Sequence, residues 1–173
     1  RNAEILKLDL NDVDLCVLSH GHNDHTGGMM HWTKKVPLIC HPDCLHETVY
    51  EGVSIGSPLR EEEIKEKFDV HLTKEPMWLS EHLCFLGEIP TLYDFEKRIP
   101  IGQKHCKGIW EDDFVMEDSA LVLKTEQGLW ILTGCSHAGI CSITQYAKTV
   151  TGVDQIAGVV GGFHLLDYNE KLI

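Results

Sequence analysis

The sequence predicts one α/β domain, and three observations carry that expectation. Residues 13–18, Val13-Asp14-Leu15-Cys16-Val17-Leu18, form a short, nearly continuous apolar run ended by polar and glycine residues, the pattern of a strand buried on both faces. Residues 119–124 and 129–133 are β-rich runs separated by Glu126-Gln127-Gly128, a hairpin signal. The final third alternates strand, loop with histidine, helix, strand and loop with histidine, a rhythm that delivers polar groups to strand ends.

The remaining elements follow in chain order. Residues 24–34 carry early glycines and then Met29, Met30 and Trp32, which predicts a short helix after a strand exit. Residues 37–40 read as the next strand, and Pro42 opens a helix expected over 42–50. A turn-rich loop at 52–58 precedes an exposed helix at 59–68, whose acidic start and lysine-bearing end complement the helix dipole. Residues 70–111 mix short apolar pieces with Pro76, Pro90 and Pro100, which predicts hairpins and an active-site rim. A helix is expected over 139–150, then a strand at 155–160 running into Gly161-Gly162-Phe163-His164.

Composition narrows the function classes. The 173 residues are 43% apolar, enough for a substantial core. A formal charge of −12 with only 15 Lys and Arg leaves no basic stripe for a phosphate backbone, so nucleic acid is excluded as the expected partner. No apolar run approaches the roughly 20 residues needed to cross a bilayer. A small-molecule substrate is the expectation, with oligomeric state left open. Seven cysteines is an odd number, and Cys16, Cys40 and Cys135 sit at or beside apolar runs as buried free thiols do, which points to a reducing cytoplasm. The opening Ile5-Leu6-Lys7-Leu8 after Arg1 reads as the interior of a domain, so residues 1–173 are expected to be one domain lacking N- and C-terminal parts.

The chemistry is concentrated in Ser19-His20-Gly21-His22-Asn23-Asp24-His25-Thr26-Gly27-Gly28. A catalytic divalent metal needs rigid nitrogen or oxygen ligands and an open coordination position. His20, His22, Asp24 and His25 offer four such groups in six residues. In an extended exit loop the alternate residues His20 and His22 face one ion, while Asp24 and His25, after the chain turns, face a second. Two ions about 3.5–4 Å apart clamp a nucleophilic hydroxide. Gly21 is expected to allow a tight turn between ligands, and Gly27-Gly28 a close approach of the following helix.

At these residues the chain resembles the metallo-β-lactamase superfamily, whose motif is His-x-His-x-Asp-His after a core strand. The resemblance implies an αββα sandwich, here incomplete at both ends, and a metal-dependent hydrolase. It also implies further ligands at later strand exits. In Thr133-Gly134-Cys135-Ser136-His137-Ala138-Gly139, Cys135 occupies the place where the superfamily usually has an aspartate that bridges the metals. His137 is the first substitute ligand and Cys135 as thiolate the second. For the superfamily's middle histidine, Glu117 or Asp118 stands in roughly the right place, with an ordinary acidic turn as the equal alternative, and Glu88 is a weaker rim carboxylate. His164 is implied as a metal ligand, or as a proton donor and phosphate contact. His41, Cys44 and His46 match no closed zinc module and are expected to be scattered side chains.

The stretches Leu18-Ser19-His20-Gly21-His22, Gly87-Glu88-Ile89-Pro90, 133–139 and 161–165 together resemble the dihydropterin-6-yl-methyl aminobenzene ribofuranosyl phosphate synthase-like branch, linked to methanopterin-type pterin biosynthesis. Asp-Thr-Gly and His-Cys-Thr-Gly motifs that flank the branch's domain do not occur here. The implied mechanism has His20, His22, His25, His137 and His164 with Asp24 around the metals, Asp24 orienting or deprotonating a metal-bound water, and His164 facing the leaving group. A phosphate ester, a pterin-linked phosphorylated compound or another ester-like molecule is the expected substrate. Residues 75–118 are expected to shape the pocket, with Trp78, Tyr93, Phe95 and Trp110 either stacking on a planar ring or packing. Two zinc ions are the first expectation, with iron or manganese as alternatives. A non-hydrolytic metal-binding or redox module is the competing reading, favoured by Cys135 at the site mouth.

Overall fold

The computed structural model describes residues 2–165, so the domain expected over 1–173 is followed through residue 165. Helix α1 (Asn2–Ile5) leads to strand β1 (Cys16–Val17), shorter than the run at 13–18 suggested. Only Cys16 and Val17 pair in parallel with β2 (Pro37–Cys40), although the Leu18 N–H still donates to Ile39 O at 3.0 Å. Between these strands lie α2 (Asn23–Thr26) and a 3-10 segment Gly27–His31, two short turns in place of one helix. The helix expected over 42–50 does not form. A 3-10 turn, Pro42–Leu45, gives way to β3 (Glu47–Tyr50), which pairs with β4 (Val53–Ser54). The reason is local: Thr48 and Val49 are β-branched, and Glu51 and Gly52, at φ 50 and 78, make the left-handed two-residue turn that joins hairpin strands.

Helix α3 (Glu61–Lys67) and β5 (Asp69–Leu72) follow, then β6 (Met77–Trp78), β7 (Leu83–Phe85), β8 (Gln103–Cys106) and β9 (Ile109–Asp112). The hairpin of β10 (Ala120–Thr125) and β11 (Gly128–Thr133), helix α4 (Ile140–Thr151) and β12 (Ile156–Val160) complete the described chain, close to expectation. Strands β1-β2-β5 form a parallel sheet, β12-β11-β10-β7-β6 a mixed sheet, and β4-β3-β8-β9 an antiparallel sheet beside them. Among the described residues no helix is long and apolar enough to cross a membrane.

Two apolar clusters hold the layers. Leu38 and Cys40 of β2 pack with Leu18, Met29, Ile64 and Phe68, and the alternating Ile39 is buried on the other face of its strand. In the mixed sheet, Val122, Leu129 and Ile131 pack against Ile143 and Ala147 of α4, flanked by Tyr146 and Val150 at helical spacing. Gly152, at φ 69, ends α4 and its N–H donates to Lys148 O, the left-handed cap that glycine adopts at least cost. The opposite face of this sheet encloses a cavity of about 220 Å3 with Val17 and Leu18 of the parallel sheet. The two sheets thus face one another with helices outside, the sandwich the sequence predicts. Farther along the strands the face is bare, with Leu123 36% and Trp130 37% exposed.

Helix α4 begins at Gly139, at φ 88, which has no side chain to cap it. The cap comes from Glu96, whose buried Oε1 accepts the Cys141 N–H at 2.7 Å while Oε2 accepts the Ser142 N–H and hydroxyl, each at 2.7 Å. A Cβ on Gly139 would sit 2.4 Å from the Glu96 carboxyl carbon, so only glycine admits this arrangement. Glu96→Ala is expected to remove about 1.5–3 kcal/mol of stability through loss of charge-assisted hydrogen bonds, with Glu96→Gln recovering part of it, as denaturant unfolding would read.

Candidate metal centre

The motif loop leaves β1 at Leu18 and turns at His22, the N-cap of α2, so that His20 and His22 come from extended chain while Asp24 and His25 come from a helical turn. The Asn23 N–H donates to Ile55 O at 2.8 Å and the Thr26 hydroxyl to His22 O at 3.0 Å, fastening the loop to the chain leaving β4 and to itself. Gly21 is required for a close approach rather than for the tight turn expected of it, since a Cβ there would lie 2.9 Å from Cys44 O. Gly27 and Gly28 do not, because a Cβ on either meets nothing within 4 Å.

The second loop leaves β11. Gly134 lies against the motif, where a Cβ would meet Ser19 Oγ at 2.2 Å and His20 Nδ1 at 3.2 Å. Ser136 sits at φ 59, and its hydroxyl donates to Gly162 O at 2.7 Å, while the Gly162 N–H donates to Gly134 O at 2.8 Å. These bonds lace the exit of β12 to the exit of β11 and carry His164 to His137.

The imidazoles converge. Ring centroids of His20 lie 4.8 Å from His22, 4.3 Å from His25 and 4.9 Å from His137. His137 lies 5.0 Å from His22 and 4.3 Å from His164. Asp24 Oδ2 is 3.3 Å from His25 Nε2, and Cys135 Sγ is 3.1 Å from the same nitrogen. All six residues expected around the metals therefore meet at one place, with Cys135 among them. His22, Asp24, Cys135, His137 and His164 line a cleft of about 400 Å3 whose apolar wall is Tyr50, Ile55 and Ile101.

Burial sets the electrostatics. It drives His20 down to about 2 and His137 to about 3, helped in both by neighbouring imidazoles, and lowers His22 against the pull of Asp113 and Asp24. These three rings are therefore neutral at pH 7, the protonation state that ligates a cation. His20 Nδ1 is engaged by the Ser19 hydroxyl at 3.0 Å, which leaves Nε2. That atom, His22 Nε2 and both His137 nitrogens are buried with no hydrogen-bond partner in the protein. Folded proteins rarely leave such groups unmatched, and a cluster of neutral imidazole nitrogens beside a thiol and a carboxylate fits a divalent metal.

Glu117 and Asp118, the carboxylates expected near the place of the middle histidine, are both buried and belong to neither of the two groups of close ligand atoms, although Glu117 Oε2 and Asp118 Oδ1 have no hydrogen-bond partner in the protein. Asp118 Oδ2 accepts the Ala138 N–H at 2.9 Å, and Oδ1 lies 3.8 Å from the engaged nitrogen of His20. Glu88 is taken by His41 and Lys74, each at 3.0 Å, so it is no rim ligand. Of the two alternatives for the aromatic residues, packing is the one found: Tyr93 lies on Phe95, Trp110 on His105, and Trp78 beneath Lys124. Of residues 75–118, Ile101 lines the cleft. Tyr50 and Ile55 escaped the sequence reading because the hairpin that carries them was read as helix and loop.

This fold and this cluster point to proteins of one class: residues 1–82 match the family model of the metallo-β-lactamase superfamily, and the described chain has the α/β fold of that superfamily's solved structures. It is 33% identical over 187 residues, covering 99% of this chain and 63% of the relative, to 7,8-dihydropterin-6-methyl-4-(β-D-ribofuranosyl)-aminobenzene-5'-phosphate synthase of Methanocaldococcus jannaschii. An uncharacterised protein of the same organism is 32% identical over 92% of this chain and 61% of its own length. Among solved structures, a metal-dependent hydrolase of the β-lactamase superfamily superposes with a TM-score of 0.81 at 27% identity, covering 98% of this chain and 64% of that one. The chain thus spans less than two thirds of the length of these relatives.

Burial, with repulsion from Asp113, raises Glu117 from 4.5 to about 7. A raised acid binds its proton more tightly when folded, so its contribution to stability is complete below 4.5 and is lost as pH rises through about 7. Glu117→Gln carries no such charge. The metal-free variant is expected to match the parent at pH 4 and to exceed it at pH 8, as thermal unfolding at the two pH values would show.

Proposed function

We propose that the chain carries the catalytic metal centre of an enzyme that cleaves a phosphate ester, a pterin-linked phosphorylated compound or a similar ester-like small molecule. One observation carries this reading: buried, neutral imidazoles with unmatched nitrogens converge on the floor of a cleft of about 400 Å3. His20, His22, His25, His137 and Asp24 would hold the metal, with His164 at its edge. A divalent metal bound there supplies Lewis-acid polarisation of the substrate and an activated water. Zinc suits the imidazole-rich set, iron suits it next, and two ions fit the two groups of ligand atoms.

The chain's own groups divide the remaining work. Asp24 Oδ2 faces His25, which leaves Oδ1 to accept a proton from the attacking water. His164, at φ 46 on the cleft wall, gives a proton to the departing oxygen as the ester bond breaks. Tyr50, Ile55 and Ile101 exclude water from the outer cleft and accept the flat, apolar part of a substrate. The name of the methanogen synthase supplies a phosphate and a pterin to this picture, and the structural neighbour supplies hydrolysis. The seven free thiols suit a reducing compartment.

The test pairs elemental analysis with assays on phosphodiester, phosphomonoester and lactone substrates. The purified protein is expected to hold close to two divalent ions per chain, and Asp24→Ala to lower kcat/KM by about 10²–10⁴-fold. A protein free of metal, or an Asp24→Ala variant that turns over at the parental rate, overturns the reading.

A further inference from the structure

We infer that the sulfur of Cys135 is a ligand common to two adjacent cation subsites, one completed by His20 and His137 and the other by Asp24 and His25. The inference rests on the metal centre proposed above and concerns a residue at which this chain departs from the carboxylate that the superfamily resemblance implies.

The geometry is specific. Ligand atoms of His20, Cys135 and His137 all lie within 4.8 Å of one another, and so do those of Asp24, His25 and Cys135. Cys135 is the one residue common to both groups among the described residues. Donor atoms on a single tetrahedral ion are roughly 3.3–3.7 Å apart, given metal–nitrogen bonds of about 2.0 Å and metal–sulfur bonds of about 2.3 Å, so each group is within small adjustments of closing on an ion. His20 is fully buried with its Nε2 unmatched, and His137 has both ring nitrogens unmatched, so the first subsite holds unpartnered ligand atoms beyond the thiol itself.

The surroundings of Cys135 also differ from those of the other cysteines. Cys40 and Cys44 are fully buried in the apolar cluster under the motif loop, and Cys84 is fully buried in the mixed sheet. Cys135 instead lines the cleft with His22, Asp24, His137 and His164, and its closest polar neighbour is an imidazole at 3.1 Å. Its backbone cannot drift away. Gly134 before it abuts Ser19 and His20, and Ser136 after it is held in a left-handed conformation by its bond to Gly162 O. A small apolar filler has no need of this setting. A thiolate also selects among cations, since soft sulfur favours zinc or ferrous iron over magnesium or manganese.

Cobalt titration of the metal-free complete protein tests this, because a thiolate bound to cobalt produces a near-ultraviolet charge-transfer band that imidazole and carboxylate do not. The wild type is expected to take up two cobalt ions with the band present. Cys135→Ser is expected to lose the band and one ion, and Cys135→Asp to keep both ions without the band. A second measurement needs no variant: iodoacetamide labelling of Cys135, located by peptide mass, is expected to fall at least tenfold when cobalt or zinc is bound. Cobalt uptake with no band, or labelling unchanged by metal, overturns the role of Cys135 while leaving the metal centre standing. Failure to bind cobalt at all overturns both.

Discussion

The site depends on a backbone contact that only glycine permits. Where β11 ends, Gly134 presses on Ser19 and His20, and a single methyl group there would overlap the serine hydroxyl. This contact seats the turn bearing Cys135 and His137 on the loop bearing His20, His22 and His25. The Ser119 N–H, donating to Ser19 O at 2.8 Å, ties the start of β10 to the same point. Strand exits that belong to different sheets are therefore held against one another by the protein's own contacts, the rigidity that a coordination sphere requires.

The same closeness creates an electrostatic problem that the fold answers by desolvation. Several imidazoles within 5 Å would repel if charged, and burial keeps His20, His22 and His137 in the neutral form. Behind them burial also raises Asp118 to about 7, against the pull of the Ala138 N–H and of Arg98. Arg98 is itself buried, donating to Ile89 O at 2.9 Å and to the carbonyl of Val115. Acid, base and guanidinium thus form a dry layer under the ligands, so that any charge brought by a cation is felt through little intervening water.

Much of this was legible in the chain because it is local. The spacing of His20, His22, Asp24 and His25 fits within one turn of loop and one of helix, and the β10–β11 hairpin announces itself through two β-rich runs around Glu126-Gln127-Gly128. What escaped reading depends on contacts between distant residues. Glycine at 134 looks like any loop glycine until Ser19 is found beside it, whereas Gly27-Gly28, which look purposeful, face open space. The carboxylates at 117 and 118 stand at the right point in the order of motifs, yet the Asp118 side chain turns to the Ala138 N–H beside the engaged nitrogen of His20. The one missed local signal was Thr48-Val49-Tyr50-Glu51-Gly52-Val53, whose β-branched residues and glycine turn outweigh the helix-opening proline at 42. That misreading concealed Tyr50 and Ile55, and with them most of the cleft's apolar wall.

Glu96 gives the rim a hold on the chemistry. Its segment crosses the surface, yet its carboxylate closes the first turn of the helix that emerges from the Cys135–His137 loop, and two residues later Arg98 grips the carbonyls leading to Glu117. Motion of that surface strap would be transmitted as slack in the floor beneath it. Glu96 thereby helps set how stiffly the turn carrying Cys135 and His137 is held, because its carboxylate bonds Cys141 and Ser142 just beyond that turn.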